Sequence, residues 1–409
     1  MAYDKVVDSA SLDSKLTQVA DAIRTKGNTS ADLQFPSGFI SAIQAIQTGT
    51  ELKIVVSVTS GATVTATKGS KVVSGTATNG TCTLTVPEAG TWSVKATLSG
   101  QTSDTKSVTF TDRYTTSLTF FRATITVTVE SGASVALKKD GVTVQTKTST
   151  GTAVFTVTET GTYTVEATKS GHAPASGTVN VVSSTTSYTL TLILPKDNFA
   201  DNDWSTIISA CHSGSVPSSW VAGNSKTMTI GGMSYQVDII GKSHDTYASG
   251  GKAPLTFQLH DCYANTNQMN SSDTNIGGWT SCAMRSTHLP AILTLMPTEV
   301  QNGIREVNKL TSEGGLSSTI NTTADKLFLL SEVEIFGSTR YSAAGEGTQY
   351  DYYKAGNSKV KKRNGSAAFW WERSPEIKYS TGFCLVVSGG DASSYDASGA
   401  FGVAFGFCF

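Results

Sequence analysis

The sequence is short of charge. Of 409 residues, 15% are Asp, Glu, Lys or Arg, and the formal net charge is −1. An ordinary globular chain carries about a quarter. No basic stripe or polybasic cluster stands ready to neutralise phosphates, which excludes DNA, RNA and an anionic lipid surface as expected partners. No apolar run reaches the length of a bilayer-spanning helix, so membrane insertion is not expected either. The opening MAYDKVVDSASLDSKLTQVADAIRTKG lacks the apolar centre of a secretory leader, and synthesis and folding in a cytoplasm is the expectation. Cysteine is scarce too: Cys82, Cys211, Cys262, Cys282, Cys384 and Cys408, with no C-x-x-C pair. That removes a zinc ribbon and favours buried reduced thiols, with a Cys384–Cys408 disulfide as the alternative.

Thr, Ser and Gly fill the place of charge, with 38 glycines in all. That composition favours extended strands and many turns over helix bundles. The length suits roughly two to four domains. Residues 1–49 are the exception and read as helical. Leu12, Leu16, Val19 and Ile23 recur at helical spacing, Ser9 or Ser11 can cap the start, and Gly27-Asn28 closes it. After a break, Ser37 can cap a second helix carrying Phe39, Ile40, Ile43 and Ile46. Two helices this short cannot bury both stripes alone, so a partner is expected.

Residues 50–195 contain a repeat. SGATVTATKGSKVVSGTATNGTCTLTVPEAGTWSVKATLSG from Ser60 and SGASVALKKDGVTVQTKTSTGTAVFTVTETGTYTVEATKSG from Ser131 align without a gap. Both alternate apolar and polar residues between glycine turns, so each copy should be a small antiparallel sandwich, over 50–121 and 122–195. Trp92 and Tyr163 hold matching places and should fill matching cores. The copies resemble the Ig-like and carboxypeptidase-regulatory-like modules that act as spacers in phage and bacterial surface proteins. They lack the Cys–Trp–Cys pattern of antibody domains.

The pattern changes near residue 196. Asn198 to Ser213 reads as a linker and a helix with Trp204, Ile207, Ile208 and Cys211 on one face. IGGMSYQVDIIGKSHD reads as a hairpin, DKLFLLSEVEIFGS as a buried strand and a turn, and AAFWWERSPEIKYSTGFCLVVSGGDASSYDASGAFGVAFGFCF as strands separated by a polar loop. Trp279, Trp370 and Trp371 bring the largest apolar areas. Arg285 and Arg373 can hold loops by forked hydrogen bonds to carbonyls. His244, Asp245, His260 and Asp261 form a titratable cluster along the sequence, but His260 at a strand end reads as a structural histidine. No hydrolase set is otherwise visible, and no enzyme is expected.

Residues 196–409 resemble a widespread family of uncharacterised domains in gut bacteria and their phages. The motifs that carry the resemblance are Trp279 to Arg285, Ser331 to Gly337, Trp370 to Pro375 and Gly402 to Phe407, in that order. The family looks like C-type-lectin-fold proteins, including variable tail-fibre proteins diversified by retroelements. The N-terminal LTQVADAIRTKGNTSADLQFPSGFISAIQAI is similar to segments near the start of phage tail and baseplate proteins. Together the resemblances imply a mainly β, multidomain phage tail fibre with an α+β C-type-lectin-like tip over 196–409. They also imply a homotrimer, attachment through the N-terminus to other tail proteins, a virion location, and a bacterial surface protein or glycan as receptor. A structural decoration protein or a surface adhesin without hypervariation is the alternative. The formylglycine-generating enzymes share that fold family and use a copper-binding cysteine pair, but Cys384 and Cys408 lie in apolar runs that favour packing. The E-P-N, Q-P-D and W-N-D motifs of calcium-dependent sugar binding are missing, so no metal or cofactor is expected.

Retroelement diversification changes adenines, mostly in AAC codons, and cannot produce Lys, Glu, Gln, Met or Trp. From Tyr379 to the terminus none of those five occurs. In GDASSYDASGAFGV, Ala392 and Ala397 sit among polar or aromatic neighbours. On this resemblance the variable, ligand-binding positions are Tyr379, Ser380, Thr381, Leu385, Val387, Ser388, Asp391, Ser393, Ser394, Tyr395, Asp396, Ser398, Gly399, Ala400 and Phe401. The fixed scaffold is Trp279, Arg285, Trp370, Trp371, Arg373, Phe383, Cys384, Val403, Phe405 and Phe407. Tyr, Ser, Asp and Gly suit an adaptable binding face, because Tyr gives rigid amphipathic area and small residues give hydrogen bonds.

Overall fold

The structure is a computed structural model that describes residues 9–27, 29–45, 51–111 and 113–409. The protein is mainly β, with two short N-terminal helices, tandem β-sandwiches and an α+β C-terminal domain. It divides into two compact units, Met1–Ala123 with Thr156–Thr160, and Thr124–Phe155 with Gly161–Phe409.

The first unit opens with helices Ser9–Gly27 and Ser37–Ala45. Ala20, Ile23 and Phe39 form their small shared core, with Leu16, Leu33 and Ala42 packed around it. Leu12, Val19, Ile40 and Ile43 remain exposed. The two expected stripes are therefore only half covered, as their shortness requires. Asn28 and Ile46 lie outside the described residues. The first sandwich follows. One sheet orders Thr81–Thr85, Lys53–Ser57 and Arg113–Ser117, whose last two strands run parallel. The facing sheet is built on Lys71–Thr76, Thr63–Lys68 and Gly90–Leu98, with Lys106–Phe110 paired to the last. Alternate residues point inward, so Val64, Ala66, Trp92, Val94 and Ala96 are fully buried.

The other repeat, most of which lies in the second unit, builds the same two-sheet pattern, again with parallel first and last strands, Ala123–Thr128 and Ser187–Thr191. Tyr163 takes the place of Trp92 and is buried like it. The passage to the C-terminal domain is tied down. The Ala173 N–H donates to Pro195 O (2.8 Å) and the Asp197 N–H to Gly171 O (2.9 Å). The Trp220 indole donates to Lys196 O (3.0 Å).

The C-terminal domain starts with helix Trp204–Ser213, capped by Asp203, which accepts from the Thr206 N–H, and closed by Gly214 at φ 69°. Of the expected face, Trp204, Ile207 and Cys211 are buried, and Ile208 is half-buried against the same core. A five-stranded sheet orders Ser225–Ile230, Met233–Lys242, Leu255–Leu259, Gly406–Cys408 and Leu327–Phe328. The hairpin expected at Gly231-Gly232 joins the first two. The last strand of the chain inserts between Leu255–Leu259 and Leu327–Phe328. That placement buries the apolar end Val403 to Phe409 completely. A second, three-stranded sheet orders Trp370–Pro375, Gly382–Val386 and Ala392–Asp396.

Two expectations need correction. DKLFLLSEVEIFGS does contain a buried strand, but the turn after it is a helix, Glu332–Phe336. Ser331 and Glu334 form a reciprocal capping box, and Gly337 ends the helix at φ 75°. The polar stretch SGGDASSYDASGAF is not all loop. Its centre, Ala392–Asp396, pairs along its whole length with Gly382–Val386.

Candidate functional site

The three-stranded sheet supplies the candidate face. Its central strand Gly382–Val386 is buried throughout, while the edge strand Ala392–Asp396 is half-buried to exposed. Gly382 must be glycine, because a Cβ there would lie 2.7 Å from Tyr395 O. The strands reverse in a tight turn in which the Val387 N–H donates to Asp391 O and the Gly390 N–H to Val387 O. Beyond the edge strand, residues 397–401 are fastened by main-chain bonds. Met269 and Asn270 donate to Ala397 O, and Asn267 and Phe401 exchange bonds.

The proposed positions divide by exposure. Tyr379, Thr381, Asp391, Tyr395, Asp396, Ser398 and Ala400 are exposed. Ser380, Val387, Ser388, Ser393, Ser394, Gly399 and Phe401 are half-buried. Leu385 is a correction: it has no exposure and belongs to the domain core, because both faces of the central strand are covered. Phe401 and Val387 are half anchors, packed against the same core. Phe401 lies edge-on to buried Trp371 (5.1 Å between ring centres) and to exposed Tyr395 (4.9 Å). Tyr395 therefore stands on a ladder of rings that fixes its position.

The scaffold positions are buried, apart from half-exposed Arg285. Trp371 donates to Asn267 O (2.9 Å) and Trp370 to Lys359 O (3.0 Å). Trp279 donates to Asp325 (2.9 Å), which also accepts from the Arg285 Nε. Arg373 holds carbonyls, as expected, donating to Leu310 O, Leu329 O and Glu346 O. It also pairs both nitrogens of its fork with Glu334, which sequence reasoning missed. Lys309 continues the chain of charge, 2.8 Å from both Glu334 and Asp245. Burial pushes the Glu334 carboxyl up, but the Arg373 and Lys309 charges override it and hold it below the ordinary range. Asp245 is likewise pushed up by burial but drawn down to about 2 by Lys309 and by Thr256. All six cysteines are free and buried, including Cys384 and Cys408.

Asn275 was also missed. Fully buried, its side-chain N–H groups reach Glu376 O, Tyr379 O and Gly382 O, at 3.0, 2.9 and 2.7 Å. Its oxygen accepts from the Gly315 N–H. One amide thus shapes the turn that carries Tyr379, Ser380 and Thr381. The signal was weak, one Asn within the Asn-rich ANTNQMNSSDTN.

The titratable cluster read from the sequence is dispersed. His260 pairs with Asp238 (2.7 Å), while Asp261 accepts from the Lys362 N–H. His244 stacks on Tyr350, and Asp245 belongs to the Lys309 chain. Among the described residues no group of three or more His, Cys, Asp or Glu is arranged to hold a metal ion. Among them, too, no helix is long and apolar enough to cross a membrane.

Residues 255–408 match the family model described as a domain of unknown function, DUF6273. The DUF6273 match contains the candidate face, the Arg373–Glu334 pair and Asn275. No curated protein matches the chain. Among solved structures, GBS52, the minor pilin of Streptococcus agalactiae, is similar over 36% of this chain and 95% of its own, at 14% identity and a TM-score of 0.24. The major pilin T-13 of Streptococcus pyogenes is similar over 36% of this chain and 96% of its own, at 11% identity and a TM-score of 0.17.

Proposed function

We propose that this chain is a receptor-binding protein of the phage tail-fibre type, carried on a virion, whose C-type-lectin-like tip adheres to a bacterial surface receptor. On this reading the N-terminal helices join it to other tail proteins and to two further copies, and the sandwiches are spacers. The observation that carries the reading is the contrast at the tip. Exposed Tyr395 and Asp396 on the edge strand, with Tyr379, Asp391 and Ser398 in the turns beside it, flank a central strand that is wholly buried. A rigid base that presents small, tyrosine-bearing positions is what an interchangeable binding surface requires. The half-covered helices, with Leu12, Val19, Ile40 and Ile43 exposed, are consistent with assembly.

The test is adhesion of the purified protein to candidate host cells, with exposed Asp391, Tyr395, Asp396 and Ser398 intact or exchanged together for alanine. Loss of adhesion on exchange supports the reading. Adhesion that survives the exchange removes the face as the receptor site and favours the decoration protein or another adhesive surface.

A further inference from the structure

A cleft of about 300 Å³ opens on the candidate face between the 376–382 turn and the edge strand, lined by Glu376, Tyr379, Thr381, Ser394, Tyr395 and Asp396. Its residues divide into two carboxylates, two tyrosines and two hydroxyls, with no lysine or arginine. Glu376 is the unusual member. Only 5% of it is exposed. Its main chain is satisfied, the N–H donating to Gly382 O and the carbonyl accepting from Asn275. Its carboxylate, in contrast, takes no hydrogen bond or ion pair from any described residue, yet it lines the cleft. Glu334 and Asp245, by contrast, are held by cations, Glu334 by Arg373 and Lys309 and Asp245 by Lys309.

A recessed carboxylate that the protein leaves to water alone is open to a ligand that can neutralise it. A neutral sugar would supply hydroxyls but leave the charge uncompensated. A phosphate or a carboxylate would be repelled by Glu376 and Asp396 together. A protonated amine satisfies both carboxylates by charge-assisted hydrogen bonds, and tyrosine rings at the walls favour a cation.

We infer that the cleft binds a primary ammonium group, with Glu376 as its main counter-ion, Asp396 at the rim and Tyr379 and Tyr395 as walls. The inference rests on the reading of this face as the receptor site and names the chemistry it selects. An ammonium can come from an amino sugar with a free amine or from a lysine-type side chain, and matched probes separate the two.

The experiment is saturation-transfer NMR and calorimetry on the full chain. The probes are glucosamine against N-acetylglucosamine, and Nα-acetyl-lysine amide against its Nε-acetylated form. The free amines are expected to bind about tenfold or more tightly than their acetylated partners, and more weakly as salt rises. Glu376→Gln should abolish that preference. Asp396→Asn and Tyr395→Ala, at exposed positions where folding is not at risk, should each reduce it. Preference for glucosamine alone, or for the lysine probe alone, supports the inference and identifies the source. Equal binding of free and acetylated probes, or an unchanged preference in Asp396→Asn and Glu376→Gln together, overturns it. Adhesion assays keep the two levels apart. Adhesion lost on the exchange of the exposed face residues but insensitive to Glu376→Gln defeats the ammonium inference and leaves the receptor face standing. Amine binding with adhesion indifferent to the exchange defeats the receptor face.

Discussion

Replacing Glu372 with glutamine should make the protein more stable at neutral pH. Glu372 lies in Trp370–Pro375 with no exposure, and neither carboxylate oxygen has a hydrogen-bond partner. Burial is the main reason its pKa stands well above the ordinary 4.5. The charges of Glu332 and Glu346 push the same way, and Arg373 opposes them. The fold therefore favours the protonated carboxyl over a range of pH in which the unfolded chain has already released its proton. Because the folded value is raised, the stability this group contributes is complete below 4.5 and is lost as pH rises from there. Each pH unit between 4.5 and the raised value costs about 1.4 kcal/mol, so the loss grows across that interval. Glutamine keeps the shape and has no proton to retain. The Glu372→Gln chain should gain about 1 kcal/mol or more at pH 7 and almost nothing near pH 4.5. Urea unfolding followed by tryptophan fluorescence measures it. Five of the six tryptophans lie beyond residue 196, so the signal reports mainly the C-terminal domain. A Glu372→Gln chain no more stable than wild type at neutral pH would refute the reasoning. The carboxyl would then be ionised in the fold and held by a partner that the buried geometry does not show.

Arg373→Met should cost about 3–5 kcal/mol, because Glu334 keeps its burial and loses its forked partner; thermal unfolding of the domain checks this. Asp245, drawn from 3.8 to about 2, should contribute about 2 kcal/mol that is present above pH 3.8 and lost as pH falls through 2. Acid unfolding of Asp245→Asn should be correspondingly flatter. Asn275→Ala should cost about 1–3 kcal/mol and weaken adhesion in proportion, since Glu376 O and Tyr379 O lose the Asn275 amide and Gly382 O keeps only the Glu376 N–H. Ser394→Asn should change stability by about 0.5 kcal/mol or less, whereas Leu385→Asn should cost about 3 kcal/mol, by the same unfolding assay.

Much of this architecture could be read from the residues, and the failures share one cause. Alternation with glycine turns gives both sandwiches, and the place of Trp92 gives that of Tyr163. Helical spacing from Trp204 to Cys211 gives the buried helix. Those signals are local. Leu385 was misplaced because VVSGGDASSYDASGAF carries no periodic apolar pattern; only the pairing of Ala392–Asp396 shows the strand before it to be covered on both faces. Glu332–Phe336 was missed although Ser331 and Glu334 spell a capping box, because five residues are too few to show a helical period. The Arg373–Glu334–Lys309–Asp245 chain joins residues more than a hundred positions apart, and no spacing rule reaches that far.

How the candidate face is fastened explains why its side chains can be exchanged. The edge strand is held by main-chain pairing to Gly382–Val386. Residues 397–401 are held mainly by main-chain bonds to Asn267, Met269 and Asn270. The 376–382 turn is held by the Asn275 amide through carbonyls. Nearly every fastening ends on a backbone atom, which any residue except proline supplies. The charge chain that locks the core is built from residues outside the face. Side chains at 391, 393–396 and 398 can therefore change without unmaking either set of bonds. The exceptions are structural: Gly382 has no room for a Cβ, Leu385 and Ala397 are buried, and Phe401 carries the ring ladder beneath Tyr395. If the face is made to vary, related chains should differ at the first group and agree at the second. Differences spread equally over both would mean that the face is not selected for binding.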